Sequence, residues 1–99
     1  MVRHIVAWSF KDGFTDEEKQ AHALKIKTEL EVLPSIIVGI VELNVQIDLL
    51  PTSNRSAVLN SLFESEEALK AYQIHPEHKK VSAFVGTVMT DRVCLDYEE

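Results

Sequence analysis

Pro76 stands between two stretches that both pattern as helix, and no straight helix can run through it. Its ring removes a backbone donor and pushes the preceding residue out of helical geometry. At the first position of a helix, however, the missing N–H is harmless. In Tyr72-Gln73-Ile74-His75-Pro76-Glu77-His78-Lys79-Lys80 this predicts a helix ending near His75, a sharp corner, and a second short helix from about Pro76. Such a corner can aim Tyr72, His75 and His78 at one volume although they lie close in sequence. Two of the four histidines of the chain sit in this stretch.

The remaining segments supply a sheet and a second helix. Val2 to Phe10 is short and rich in Val, Ile, Trp and Phe, and Lys11-Asp12-Gly13 ends it, which predicts a strand. His4 shares its face with Val6, Trp8 and Phe10, while Arg3, Ile5, Ala7 and Ser9 form the other, so both sides call for cover. Thr15-Asp16-Glu17-Glu18 is a capping box. It opens a helix that Pro34 stops, with Leu33 the last residue it can hold. Ala23, Ile26, Leu30 and Leu33 give that helix one buried face, and His22 borders it. Ile36 to Leu50 is apolar-rich, and from Val41 to Leu49 it alternates as a strand does. Ser56 to Glu64 reads as its antiparallel partner, with Ala57, Leu59, Ser61 and Phe63 on one face. Ser65 is a natural N-cap for the helix that ends at the proline corner. Past that corner His78, Val81 and Val85 share a face beside Phe84. Val88 to Tyr97 is the last strand, and the acidic end Glu98-Glu99 is expected to fray.

The order β-α-β-β-α-β predicts an α+β, ferredoxin-like chain, one domain over residues 1–99, with a four-stranded antiparallel sheet and helices on one face. Those helices can hide only one side of a sheet whose strands carry apolar residues on both. The cheapest second cover for so short a chain is another copy of itself across a two-fold axis, so a homodimer is expected. A formal charge of −6 argues against a nucleic-acid partner, which wants a basic face. No stretch approaches the roughly 20 apolar residues of a membrane helix, and the first strand is not a signal peptide. A single cysteine, Cys94, forms no intramolecular disulfide and no cysteine-based metal framework. The expected location is the cytoplasm.

Several pieces, in this order and spacing, resemble the stress-responsive A/B barrel (Dabb) family of dimeric α/β barrels, nearly along the whole chain. They are His4-Ile5-Val6, then Phe63-Glu64-Ser65-Glu66-Glu67-Ala68-Leu69 with Tyr72, then His75-Pro76-Glu77-His78, and last Asp91-Arg92-Val93 with Asp96-Tyr97. The resemblance implies a ferredoxin-like protomer whose sheet packs on a partner's to form a barrel. A plant branch of the family comprises polyketide cyclases that close an aromatic ring by an aldol condensation without metal or cofactor. By that resemblance His78 serves as acid/base, Tyr72 assists, and His4 contributes to the pocket. The chain departs from the branch at Trp8, Ala23, Ile26 and Ala57.

The residues themselves allow two uses of this cluster. In one, His78 takes an acidic proton beside a carbonyl and Tyr72 holds the developing enolate oxygen. In the other, the rings pack inward while their polar atoms bond to backbone: His75 fastens the corner, and His4 is a satisfied core histidine bonded to Tyr72 or His78. Candidate ligand-contacting residues around them are Val6, Trp8, His22, Ile26, Leu59, His75, Val81 and Phe84. A metal on His75 and His78 lacks a third ligand nearby, so neither metal nor cofactor is expected. Cys94 is expected to be an inert thiol with no histidine beside it, and Asp91-Arg92 a structural ion pair or an interface contact. Two functions remain: a small-molecule-binding or stress-associated homodimer without turnover, or a cofactor-independent enzyme, cyclase-like or lyase-like, acting on a carbonyl compound. A cleft filled by Trp8, Leu59 and Phe84 favours the first; a cavity lined by Tyr72 and His78 favours the second.

Overall fold

The computed structural model describes residues 1–99. Strand β1 (Val2–Phe10) leads to helix α1 (Asp16–Glu31), strands β2 (Ile40–Gln46) and β3 (Ala57–Phe63), helices α2 (Glu66–Ile74) and α3 (Pro76–Val88), and strand β4 (Met89–Glu98). The four strands form one antiparallel sheet in the order β2-β3-β1-β4. This is the ferredoxin-like arrangement, with all three helices on one face. No helix is long and apolar enough to cross a membrane.

The capping residues do what their chemistry requires. The Thr15 hydroxyl accepts from the Glu18 N–H at 3.1 Å and the Glu18 carboxylate from the Thr15 N–H at 2.8 Å, so two free donors at the start of α1 are satisfied. Ser65 accepts from the Ala68 N–H at 3.1 Å and starts α2. α1 stops at Glu31, two residues before the expected limit at Leu33. Pro34 draws its approach into a 3-10 turn over Leu33–Ser35. Pro76 opens α3 at its first turn, and this helix of 13 residues is longer than the nine-residue α2.

Two of the expected strand limits move for a physical reason. β2 ends at Gln46, short of Leu49, and its register slips between Ile40 and Glu42. Val41 is the extra residue of that bulge and lies 45% exposed, so Leu43 and Val45 alone carry the buried alternation of the strand. Val88 closes α3 with its side chain buried, and β4 begins one residue later. The C-terminus does not fray as expected. Glu98 pairs with Val2, the Glu99 N–H donates to the Met1 carbonyl at 2.8 Å, and the Arg3 guanidinium donates to both Glu99 carboxylate oxygens at 2.6 and 3.0 Å. Arg3 also reaches Glu42 at 2.7 Å and Asn60 at 2.8 Å, so one side chain on β1 ties β2, β3 and the residue that follows β4 across the face away from the helices.

Between the helices and the sheet lies the core, with Val6, Trp8, Val45, Leu59 and Phe63 facing Ile26, Leu30, Leu69 and Val85. Gly39 allows the chain to enter β2 beneath α2. It adopts φ +97°, and a Cβ there would meet the Ala68 Cβ at 2.7 Å. The opposite face of the sheet is uncovered. Val93, Leu95 and Tyr97 are 39%, 57% and 49% exposed, with Ile5, Val58 and Leu62 half-buried beside them.

Candidate functional site

The corner at Pro76 and the inner face of β1 meet at a cavity of about 230 Å³. His4, Val6, Trp8, Leu59, Tyr72 and His78 all line it. Trp8 and Leu59 form wall and floor and do not fill the space. Its rim adds polar groups that sequence reasoning did not assign to it, among them Gln73, Ser82 and the run Thr90-Asp91-Arg92.

Five candidates lie elsewhere. Ile26 and Val81 point into the core, 0% and 5% exposed. His22 packs between the rings of Phe14 (4.9 Å) and Phe84 (5.7 Å), and Lys25 sits 4.4 Å over Phe84. That aromatic group belongs to the α1–α3 contact, away from the cavity. His75 is both the C-cap of α2 and the N-cap of α3, and its Nδ1 accepts from the Glu77 N–H at 3.1 Å. Its Nδ1 is committed to the corner, and the ring does not line the cavity.

Tyr72 is buried in a stack of rings: His78 at 4.2 Å, Phe63 at 4.9 Å and, edge-on, His4 at 6.3 Å. Burial drives its phenol well above the ordinary tyrosine range, only partly offset by the charge of Arg92. The phenol is therefore a proton-bearing donor at neutral pH. Its oxygen is the only buried side-chain polar atom in the chain without a hydrogen-bond partner. Such a group costs about 1–3 kcal/mol, which makes it the most informative atom in the structure.

His78 is half-buried at the first turn of α3. Its Nδ1 lies 3.3 Å from the Gln73 carbonyl, which can only accept, so in the neutral ring the proton is on Nδ1 and the lone pair on Nε2. Burial lowers its pKa below the ordinary value of 6.5; the Gln73 carbonyl opposes this, and the charges of His4, Arg92 and His75 add to it. Neutral His78 is thus a free base beside a neutral donor.

His4 is not bonded to Tyr72 or His78. Its Nδ1 pairs with the Asp96 carboxylate, its cross-strand partner on β4. Cys94 does have a histidine neighbour after all: its sulfur lies 3.9 Å from His4 Nδ1 and 3.7 Å from Asp96. Burial and the Asp96 carboxylate raise the thiol's pKa, so it is a poor nucleophile at neutral pH. Donor atoms of His4, Cys94 and Asp96 lie within 4.8 Å of one another, three metal-ligating groups close together of the kind that His75 and His78 lack. The His4–Asp96 pair already satisfies both groups through each other.

Solved structures share this fold. A dimeric protein of unknown function and ferredoxin-like fold from Bacteroides fragilis is 31% identical, with 99% of this chain and 95% of that one covered at a TM-score of 0.92. A dimeric ferredoxin-like protein of unknown function from Thermobifida fusca is 25% identical over 99% and 90%, at 0.83. A hydroxynitrile lyase from Passiflora edulis shares the fold at 20% identity, 97% and 90% coverage and 0.78. No curated protein matches the chain. Residues 2–99 match the stress-responsive A/B barrel domain, and with a relative 31% identical along almost its whole length, the chain belongs to that family.

Proposed function

We propose that this protein is a homodimer whose cavity performs cofactor-independent acid/base chemistry on a small carbonyl compound. His78 Nε2 removes a proton from the carbon next to the carbonyl, and the Tyr72 hydroxyl donates to the oxygen as it becomes an enolate. The resulting carbanion equivalent can then add to an electrophile or expel a leaving group, as aldol closure and lyase cleavage respectively require. The same fold houses a hydroxynitrile lyase in the Passiflora relative, so a chain of this architecture accommodates an active site. The dimeric relatives and the uncovered apolar sheet face support pairing through that face.

The observation that carries this proposal is the unpartnered, buried hydroxyl of Tyr72, a residue that lines the cavity and whose ring stacks on His78. Phenylalanine would fill the same space without the cost of that unsatisfied hydroxyl. The cavity is smaller than the roughly 300–1,000 Å³ of drug-sized pockets, which suits a short-chain carbonyl compound.

Tyr72→Phe separates function from packing. It should leave the thermal midpoint unchanged or raise it, with a gain of about 1 kcal/mol from losing an unsatisfied hydroxyl. It should also slow C–H exchange of a small ketone in D₂O, followed by NMR, by roughly 10²-fold or more. A destabilised variant with undiminished exchange would make the hydroxyl structural. Ligand binding by a wild-type protein that exchanges nothing would favour the binding-only dimer.

A further inference from the structure

We infer that the cavity selects a carbonyl compound bearing a carboxylate, and that Arg92 is the residue that recognises it; this rests on the carbonyl chemistry proposed above. The placement of Arg92 is built by a bulge. Ala7 pairs with Val93, but Ser9 pairs with Thr90, so Asp91 and Arg92 together face the single residue Trp8. Asp91 takes the left-handed conformation this requires, φ 53°, in which aspartate is better tolerated than most residues. The Arg55 Nε–H braces it by donating to the Asp91 carbonyl at 3.0 Å. If the Ser9–Thr90 register simply continued, Arg92 would oppose Ala7 and point to the uncovered sheet face. The extra residue turns it to the same side as Cys94 and Asp96, where it joins the cavity wall.

Its partners are equally telling. Of the three arginines, Arg3 is held by Glu42 and Glu99, and Arg55 by the carbonyls of Asn54 and Asp91. Arg92 bonds to no carboxylate and no carbonyl, although the chain has 16 acidic residues and Asp91 is its neighbour. Asp91 and Arg92 form no ion pair with each other, one of the two roles expected of them, the other being an interface contact. A guanidinium held by no acid, with only the weak Cys94 thiol as a side-chain partner, offers a planar fork matched to a carboxylate, and it stands on the helix side of the sheet, away from the face a second copy would cover. Its positive charge is felt at Tyr72, His78 and Cys94, so an anion bound there lies next to the reacting groups. With Val6, Trp8 and Leu59 as apolar surroundings, the fitting ligand is a short oxo acid: carboxylate at Arg92, carbonyl oxygen at Tyr72, acidic C–H at His78.

The experiment compares 4-oxopentanoate with its methyl ester, which share a carbon skeleton and differ in the charge, by C–H exchange in D₂O and by equilibrium titration. The wild type should prefer the acid by roughly 10- to 100-fold, the worth of a hydrogen bond to a charged group. Arg92→Gln should bring the acid-to-ester ratio close to one, and Arg92→Lys should restore part of it. An unchanged ratio in Arg92→Gln overturns the assignment. If the wild type exchanges neither compound, proton transfer fails as a reading, and the titrations decide for Arg92 alone. Acid-selective binding lost in Arg92→Gln upholds the anion site; binding that ignores the charge, or no binding, refutes it.

Discussion

His78→Ala is expected to reduce kcat/KM for carbonyl C–H exchange by roughly 10²–10⁴-fold, the usual worth of a positioned general base. The half-buried ring makes one bond, to the Gln73 carbonyl, so its loss should leave the fold and the dimer intact by circular dichroism and sedimentation. The pH profile adds a second signature. Burial holds His78 below its ordinary value of 6.5, so the acid limb of the activity profile should have its midpoint below that value. The same depression has a consequence for stability. A group that binds its proton more weakly folded than unfolded adds no penalty above the unfolded pKa. It costs stability progressively as pH drops below that value towards the folded one. In His78→Ala that part of the acid sensitivity should be missing. A variant with undiminished exchange would remove His78 from the chemistry.

Leu95→Lys is expected to dissociate the dimer. Leu95 is 57% exposed on the open sheet face, opposite Ile5 on β1, so a lysine there costs the isolated protomer almost nothing. In a two-fold sheet-to-sheet interface the same change buries an unpaired charge from each copy. At about 3 kcal/mol or more, this weakens association by roughly 10²-fold or beyond. Sedimentation at micromolar concentration should show a dimer for the wild type and a folded monomer for the variant. A wild type that stays monomeric there, or a variant that dimerises as before, would contradict pairing through this face.

What the sequence disclosed and what it withheld divide along a physical line. Local chemistry was legible: the Thr15–Glu18 box, the Ser65 cap and the Pro76 corner each act within three or four residues and appear where their spacing puts them. The alternation in β3 was legible too, because a strand with one buried face must repeat every second residue. His4, Tyr72 and His78 reached one cavity because a face-by-face reading of β1, α2 and α3 is enough to converge them. Cross-strand register was not legible. Asp96 finds His4, and Cys94 comes beside it, only through the pairing of β1 with β4. Arg92 reaches the cavity only because a bulge shifts that pairing at Trp8, and an aspartate in the left-handed conformation leaves little trace in a sequence. His22 and Phe84 were misplaced for a related reason. Each lies at the edge of its helix's apolar face, and helix periodicity alone does not say that these edges meet each other instead of the cleft.

At the centre of the site a neutral His78, its Nε2 lone pair free, stacks on a Tyr72 ring whose hydroxyl has nothing to bind. NMR titration of the imidazole nitrogens tests it without any substrate. The expected result is a His78 pKa below 6.5 with the neutral ring protonated at Nδ1. A His78 that titrates above 6.5, or a neutral ring carrying its proton on Nε2, would contradict it.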